Sequence, residues 1–220
     1  MSLPDPDTVE HIPPEAASTY AKLAATYGQD YYESVADELA RQLTPGDRVL
    51  DVGTGPGFLP LALANRVDSV RIDAFDFTRE FVQYGRKKAI EGGFRDEISF
   101  FVADCYNIPT ASNSYTLLTC TGVLHSLDQP EDALTEFYRV IQRNGNAWVF
   151  DPAIIDVPDD PDIELTDHEQ DILQLYQGRA TKERMSVVEA EQVIESTPFT
   201  AASIEEGEQG DLRLYLGQHR

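Results

Sequence analysis

Val49-Leu50-Asp51-Val52-Gly53-Thr54-Gly55-Pro56-Gly57-Phe58 is an apolar strand that runs straight into a loop with glycine at every second position. Such a loop lets the backbone turn sharply, approach a ligand closely and open onto the free amides of a following helix. The pattern marks a nucleotide-type cofactor site. Asp51, just before the first glycine, puts a carboxylate near the strand end, where a pyrophosphate would be repelled. The dinucleotide fingerprint Gly-x-Gly-x-x-Gly also fails, because Gly53, Gly55 and Gly57 alternate and Phe58 stands in the place of the last glycine. A carboxylate suits a cationic ligand better. A tight strand-to-helix turn in any α/β protein could show the same glycines, so the neighbouring segments matter.

Three further strands follow in register. Ser69 to Phe77 reads as the second, and places Asp76 about 20 residues beyond the glycines, the spacing at which an acid bonds ribose hydroxyls. Ile98 to Cys105 reads as the third, with Asp104 at its end, and Tyr115 to His125 as the fourth, entering an active-site loop. Predicted helices at 59–65, 78–91 and 130–143 alternate with them, and alternation of this kind implies a mainly parallel sheet. Ligands of such sheets bind beyond the carboxyl ends of the strands, where Asp51, Asp76, Asp104 and Thr121 gather.

From roughly residue 45 to 151 this arrangement resembles the class I S-adenosylmethionine-dependent methyltransferases. The glycine loop matches their motif I, whose cofactor carries an ammonium and a sulfonium and no phosphate. Glu131 to Asn146 looks like the family's helix and turn before its fifth strand, here Ala147 to Phe150. The small-molecule group that includes quinone-type C-methyltransferases is the most similar in flavour. Two departures stand out: Thr116 replaces an acid common in the fourth strand, and Asn144-Gly145-Asn146 replaces a double-glycine turn. The resemblance implies an α/β, Rossmann-like, mainly parallel seven-stranded sheet with helices on both faces and a C-terminal antiparallel hairpin, for which 199–204 and 212–217 are the candidate strands. It further implies S-adenosyl-L-methionine as cofactor. The expected contacts are Asp51, Gly53, Thr54, Gly55, Gly57, Asp76, Phe77 beside the adenine, Asp104 and Cys105 at the adenine edge, and Thr121.

Methyl transfer from a sulfonium is an in-line displacement, so a catalytic base is optional. If a proton must leave the nucleophile, His125 after the fourth strand is the candidate, with Asp151 a second; His125 could equally orient its loop by a hydrogen bond, and Asp151-Pro152 could be a turn. Residues 1–44 are expected to form an N-terminal extension and two helices, 16–27 and 31–43, covering the cofactor site, with 45–220 as the methyltransferase domain of a single globular unit. Tyr20, Tyr27, Tyr31 and Tyr32 on those helices either close the pocket or cover the apolar sheet edge. Helices are predicted at 166–178 and 186–196; Asp167 to Tyr176 is read as packing on the sheet in preference to forming a lid.

Composition bounds the partners. With 39 acidic against 17 basic residues the formal net charge is −22, and the only basic cluster is Arg86-Lys87-Lys88, read as a solvated helix face. Nucleic acid is therefore not an expected acceptor, since phosphate neutralisation needs a Lys/Arg-rich face. A high-salt interior would also explain the acidity, and only four of the 17 basic residues being lysine fits it. No apolar run approaches the ~20 residues needed to span a bilayer, and the first residues lack the features of a signal peptide, which points to the cytoplasm. Cys105 and Cys120 are expected as thiols, and the four dispersed histidines give no metal-ligand spacing. Two other readings stay open: an S-adenosylmethionine-binding sensor or partner subunit without activity, and a nicotinamide oxidoreductase, which Asp51 and the glycine spacing disfavour. A homodimer is possible.

Overall fold

Val49, Leu50 and Val52 are all fully buried, which shows that β1 (Arg48–Val52) is covered on both faces, as the strands of a parallel sheet are. The computed structural model describes residues 11–151, 157–158, 161–181, 185–207 and 211–218. β1 pairs in parallel with β2 (Arg71–Asp76) and β4 (Tyr115–Thr121), β2 with β3 (Ile98–Val102), and β4 with β5 (Ile141–Asp151). At the C-terminal end β6 (Ala201–Glu206) and β7 (Leu212–Gly217) are antiparallel to each other, and β7 inserts antiparallel against β5. The seven strands lie in the order β3-β2-β1-β4-β5-β7-β6. The chain order reverses between β1 and β4, which opens a crevice above their carboxyl ends.

Helices cover both faces. On one, α5 (Pro130–Val140) turns Ala133, Leu134, Phe137 and Val140 onto Leu50, Leu118 and Val149, joined by Ala190 and Ile194 of α7 (Val187–Glu195). On the other, α2 (Gln29–Ala40), α3 (Phe58–Ala64) and α4 (Arg79–Gly92) bury Val35, Leu39, Leu63 and Val82 against Val49, Ile72 and Leu117. An ionic knot ties α2 to β7. Arg213 bonds both the buried Asp211 (2.8 Å) and Glu38 (2.9 Å), and the Tyr215 hydroxyl donates to Glu38 (2.7 Å).

Several boundaries depart from the sequence reading. The helix predicted to Arg143 ends at Val140, and β5 starts at Ile141; Asn144-Gly145-Asn146 lies inside that strand as an irregularity, Asn144 taking φ 62°. Its three extra residues show in the register, where Tyr115 opposes Ile141 but Leu117 opposes Asn146. The second strand spans 71–76, Ser69 being in a left-handed turn, and the third ends at Val102, short of Asp104 and Cys105. Helix α6 (Asp167–Thr181) packs on α1 (Ala17–Tyr27) through Leu173 against Leu23 and Ala24, so its partner is a helix where the sheet was expected. Among the described residues no helix is long and apolar enough to cross a membrane.

Candidate functional site

A cavity of about 320 Å³ lies above the carboxyl ends of β1, β2 and β4, with walls that include Asp51, Gly53, Thr54, Gly55, Asp76 and Thr121. Asp51 is 2 % exposed and its Oδ2 has no hydrogen-bond partner; the Thr54 and Thr121 hydroxyl oxygens are likewise buried and unpartnered. Buried polar atoms are ordinarily satisfied, so three orphans in one cavity wall describe a site shaped for a polar ligand. Burial pushes the Asp51 carboxyl up to about 7, the nearby Thr54 hydroxyl opposes this, and the Asp76 charge adds to it. Burial also lifts Asp76 to about 6, held back by amides that stabilise its charged form. Those amides are donors: Gly55 N–H to Oδ2 and Thr78 N–H to Oδ1, each at 2.8 Å.

The glycine loop holds this geometry by close approach. Gly53 has φ +66°, and a β-carbon there would collide with Val123 Cγ2, so glycine permits the β1 loop to touch the loop after β4. Gly57 packs away from the cavity, where an added β-carbon would meet the Phe100 ring at 2.8 Å; it serves helix packing, not the ligand wall.

The other sequence-predicted residues divide. Phe77 is 55 % exposed on the cavity rim and Cys105 is half-buried in the wall. Asp104 lines the cavity from a loop, not from a strand end: Oδ1 accepts the Tyr106 N–H (2.9 Å), and its backbone bridges to Asn107. Arg139 of α5 steadies that loop by donating to the carbonyls of Ile108 (2.8 Å) and Thr110 (2.7 Å). His125 is outside the cavity wall, and Asp151 holds it twice, through its backbone N–H (2.6 Å) and through Nδ1 (2.9 Å). This pairing ties the loop after β4 to the end of β5, with Asp151 3 % exposed. The four tyrosines split between the two roles weighed for them. Tyr20 and Tyr32 line the cavity, Tyr31 is buried against the sheet face, and Tyr27 joins the cluster of α1 with Leu173.

Sequence reasoning did not name His11 and Ile12, which reach the cavity from the N-terminal extension, or Val123, Ser126 and Leu127 of the loop after β4. The apolar alternation that marks strands and helices is absent from both stretches. Cys105 and Cys120 are thiols.

Comparison with known proteins bears on this site. Residues 49–145 match the family model described as a methyltransferase domain. The ubiquinone/menaquinone biosynthesis C-methyltransferase UbiE of Geotalea daltonii is 32 % identical over 108 residues, 49 % of this chain and 46 % of that protein. The UbiE of Cereibacter sphaeroides strain ATCC 17029 is 28 % identical over 107 residues, 49 % of this chain and 43 % of that protein. Over residues 49–145 the chain is thus similar to methyltransferase domains, and its fold is that of S-adenosylmethionine-dependent methyltransferases. It spans just under half the length of these curated relatives. In fold it is similar throughout to a putative S-adenosyl-L-methionine-dependent methyltransferase of Methanococcus maripaludis, with TM-score 0.78 and 18 % identity over 100 % of this chain and 98 % of that one. A putative methyltransferase of Haloferax volcanii, solved in complex with the Trm112 methyltransferase activator, gives TM-score 0.70 at 16 % identity over 96 % and 100 %.

Methyltransferase family and fold imply S-adenosyl-L-methionine as the cofactor. The residues present fit that group. Among the described residues that line the cavity, Asp51, Asp76 and Asp104 are carboxylates and none is Lys or Arg, and Asp51 Oδ2 stands unpaired where a cationic group would be stabilised.

Proposed function

We propose that this protein transfers the methyl group of S-adenosylmethionine to a small-molecule acceptor by in-line displacement. The observation that carries the reading is the buried, unpartnered Asp51 carboxylate oxygen in a cavity whose lining, among the described residues, holds three carboxylates and no Lys or Arg. Asp51 receives the ammonium of the methionine part, with Thr54 and Thr121 bonding its polar atoms. Asp76 accepts the ribose hydroxyls on lone pairs that its two amide donors leave free, Phe77 covers the adenine, and the Asp104–Cys105 loop meets the base edge. The bound cofactor supplies a methyl carbon on a positively charged sulfur. What remains for the chain is to exclude water and hold the acceptor in line, which Tyr20, Tyr32 and the apolar side chains of Val123 and Leu127 do.

His125 is assigned as a positioning residue. Latched to Asp151, it sets the loop that carries Val123, Ser126 and Leu127. A net charge of −22 supports a small acceptor over a nucleic acid. Likeness to C-methyltransferases supports carbon acids and hydroquinones as the first acceptors to try.

The test is transfer of radiolabelled methyl from S-adenosylmethionine to a panel of hydroquinones, phenols and small carbon acids. Transfer to at least one, abolished in Asp51→Ala, is expected. Label transferred only to RNA or protein would overturn the small-molecule reading.

A further inference from the structure

The N-terminal segment joins the cavity at its nucleoside end. The His11 ring rests on Phe77 with centroids 4.7 Å apart, inside the range of about 4.5–7 Å for a single ring pair, so no third ring fits between them and the two form one wall. The next residue is fixed twice. Its carbonyl oxygen accepts the Thr78 hydroxyl (2.7 Å), beside Asp76, and the Ile12 side chain packs against Ala16 and Ile172, which are 1 % and 2 % exposed. Pro13 is buried, and its carbonyl accepts the Ala16 N–H (2.9 Å). The segment thus crosses from α6 and α1 to the loop after β2, and both His11 and Ile12 line the cavity.

We propose that His11-Ile12-Pro13 is a strap that retains adenosyl ligands, with His11 an additional cofactor-binding residue and Ile172 of α6 its outer anchor. The inference rests on the cofactor reading above. Adenosyl ligands leave when the strap lifts. Lifting breaks the Thr78–Ile12 hydrogen bond and withdraws Ile12 from its pocket on Ile172, so the packing of α6 sets the rate of cofactor exchange. His11 acts from inside the cavity and Ile172 from outside it, because Ile172 is not part of the cavity wall.

The experiment is chase release of radiolabelled S-adenosylmethionine from the full chain, comparing wild type, His11→Ala, Ile172→Ala and the double variant, with thermal melting as the folding check. Loss of a ring platform is expected to speed release by about tenfold, and Ile172→Ala by a clear margin even though it touches no ligand. The double variant should release more slowly than the product of the single effects, since both act through one segment. If Ile172→Ala fails to fold, Ile172→Val takes its place. An unchanged rate in the folded Ile172 variant overturns the strap, whatever His11→Ala does. Wild type that retains no S-adenosylmethionine overturns the cofactor reading, and the strap with it, and is told apart by that first control.

Discussion

Replacing Asp51 by asparagine should stabilise the protein and disable it, and both effects should grow as pH rises, because wild-type stability falls with pH while wild-type affinity climbs. Burial raises the Asp51 carboxyl from its ordinary 3.8 to about 7. Because the folded value lies above the unfolded one, the folded state binds more protons between pH 3.8 and 7. Its stabilising contribution is complete below 3.8 and is lost as pH rises through 7. At pH 8 the ionised, buried carboxylate costs on the order of 4 kcal/mol, at about 1.36 kcal/mol per pKa unit. The neutral amide of the variant carries no such cost, and it also relieves the repulsion between Asp51 and Asp76, so the difference between the two proteins contains both the burial of Asp51 and that repulsion. Urea unfolding should find Asp51→Asn more stable than wild type by a few kcal/mol at pH 8, with the advantage gone near pH 4. Binding runs the other way. The ionised form is about one tenth populated at pH 6 and about nine tenths at pH 8, so wild-type affinity for S-adenosylmethionine should rise about tenfold between them. The variant should bind weakly and without that dependence. A variant less stable than wild type at pH 8, or wild-type affinity independent of pH, would refute the charge-holding role of Asp51.

Other substitutions separate the parts of the site. Gly53→Ala should lose S-adenosylmethionine binding and several kcal/mol of stability, because its β-carbon would enter Val123, whereas Gly55→Ala, with open space around it and φ +52°, should cost only about 1 kcal/mol of backbone strain; denaturant melts compare them. Arg213→Ala should destabilise by about 3 kcal/mol in thermal melts, since it strands the 1 %-exposed Asp211 and frees Glu38 of α2. Asp151→Ala should leave S-adenosylmethionine affinity within about twofold while lowering stability by about 1–3 kcal/mol, because it strands the His125 amide and ring behind the cavity wall. Retention of full stability in that variant would remove the latch.

What was legible in the sequence follows from which physical signal each element carries. β1 and its loop were readable because a strand buried on both faces is continuously apolar and the left-handed backbone at Gly53 and Gly55 admits few other residues. The β5 start at Ile141 was not, because Ile141 continues the apolar spacing of α5 and only the pairing of Tyr115 with Ile141 draws it into the sheet. The position of α6 escaped for a similar reason. Amphipathic spacing shows that Ile172 and Leu173 are buried, and cannot show that Ile12 and Ala16 cover the first and α1 the second. In the site, Asp51, Asp76 and Thr121 were placed by strand ends and stand together in the cavity wall. His125 was adjacent in sequence to wall residues yet turned aside, because the side chain that captures it, Asp151, lies 26 positions on. His11 had no periodic signal at all and is brought in by tertiary contacts with Phe77 and Thr78.

Calorimetric titration of the purified protein with S-adenosylmethionine, S-adenosylhomocysteine and NAD, at moderate and high salt, tests the central claim most directly. Saturable one-to-one binding of the two adenosyl ligands, weakened in Asp76→Ala, with no heat from NAD, is the expected result. Binding of NAD alone, or no adenosyl binding at either salt concentration, would contradict it.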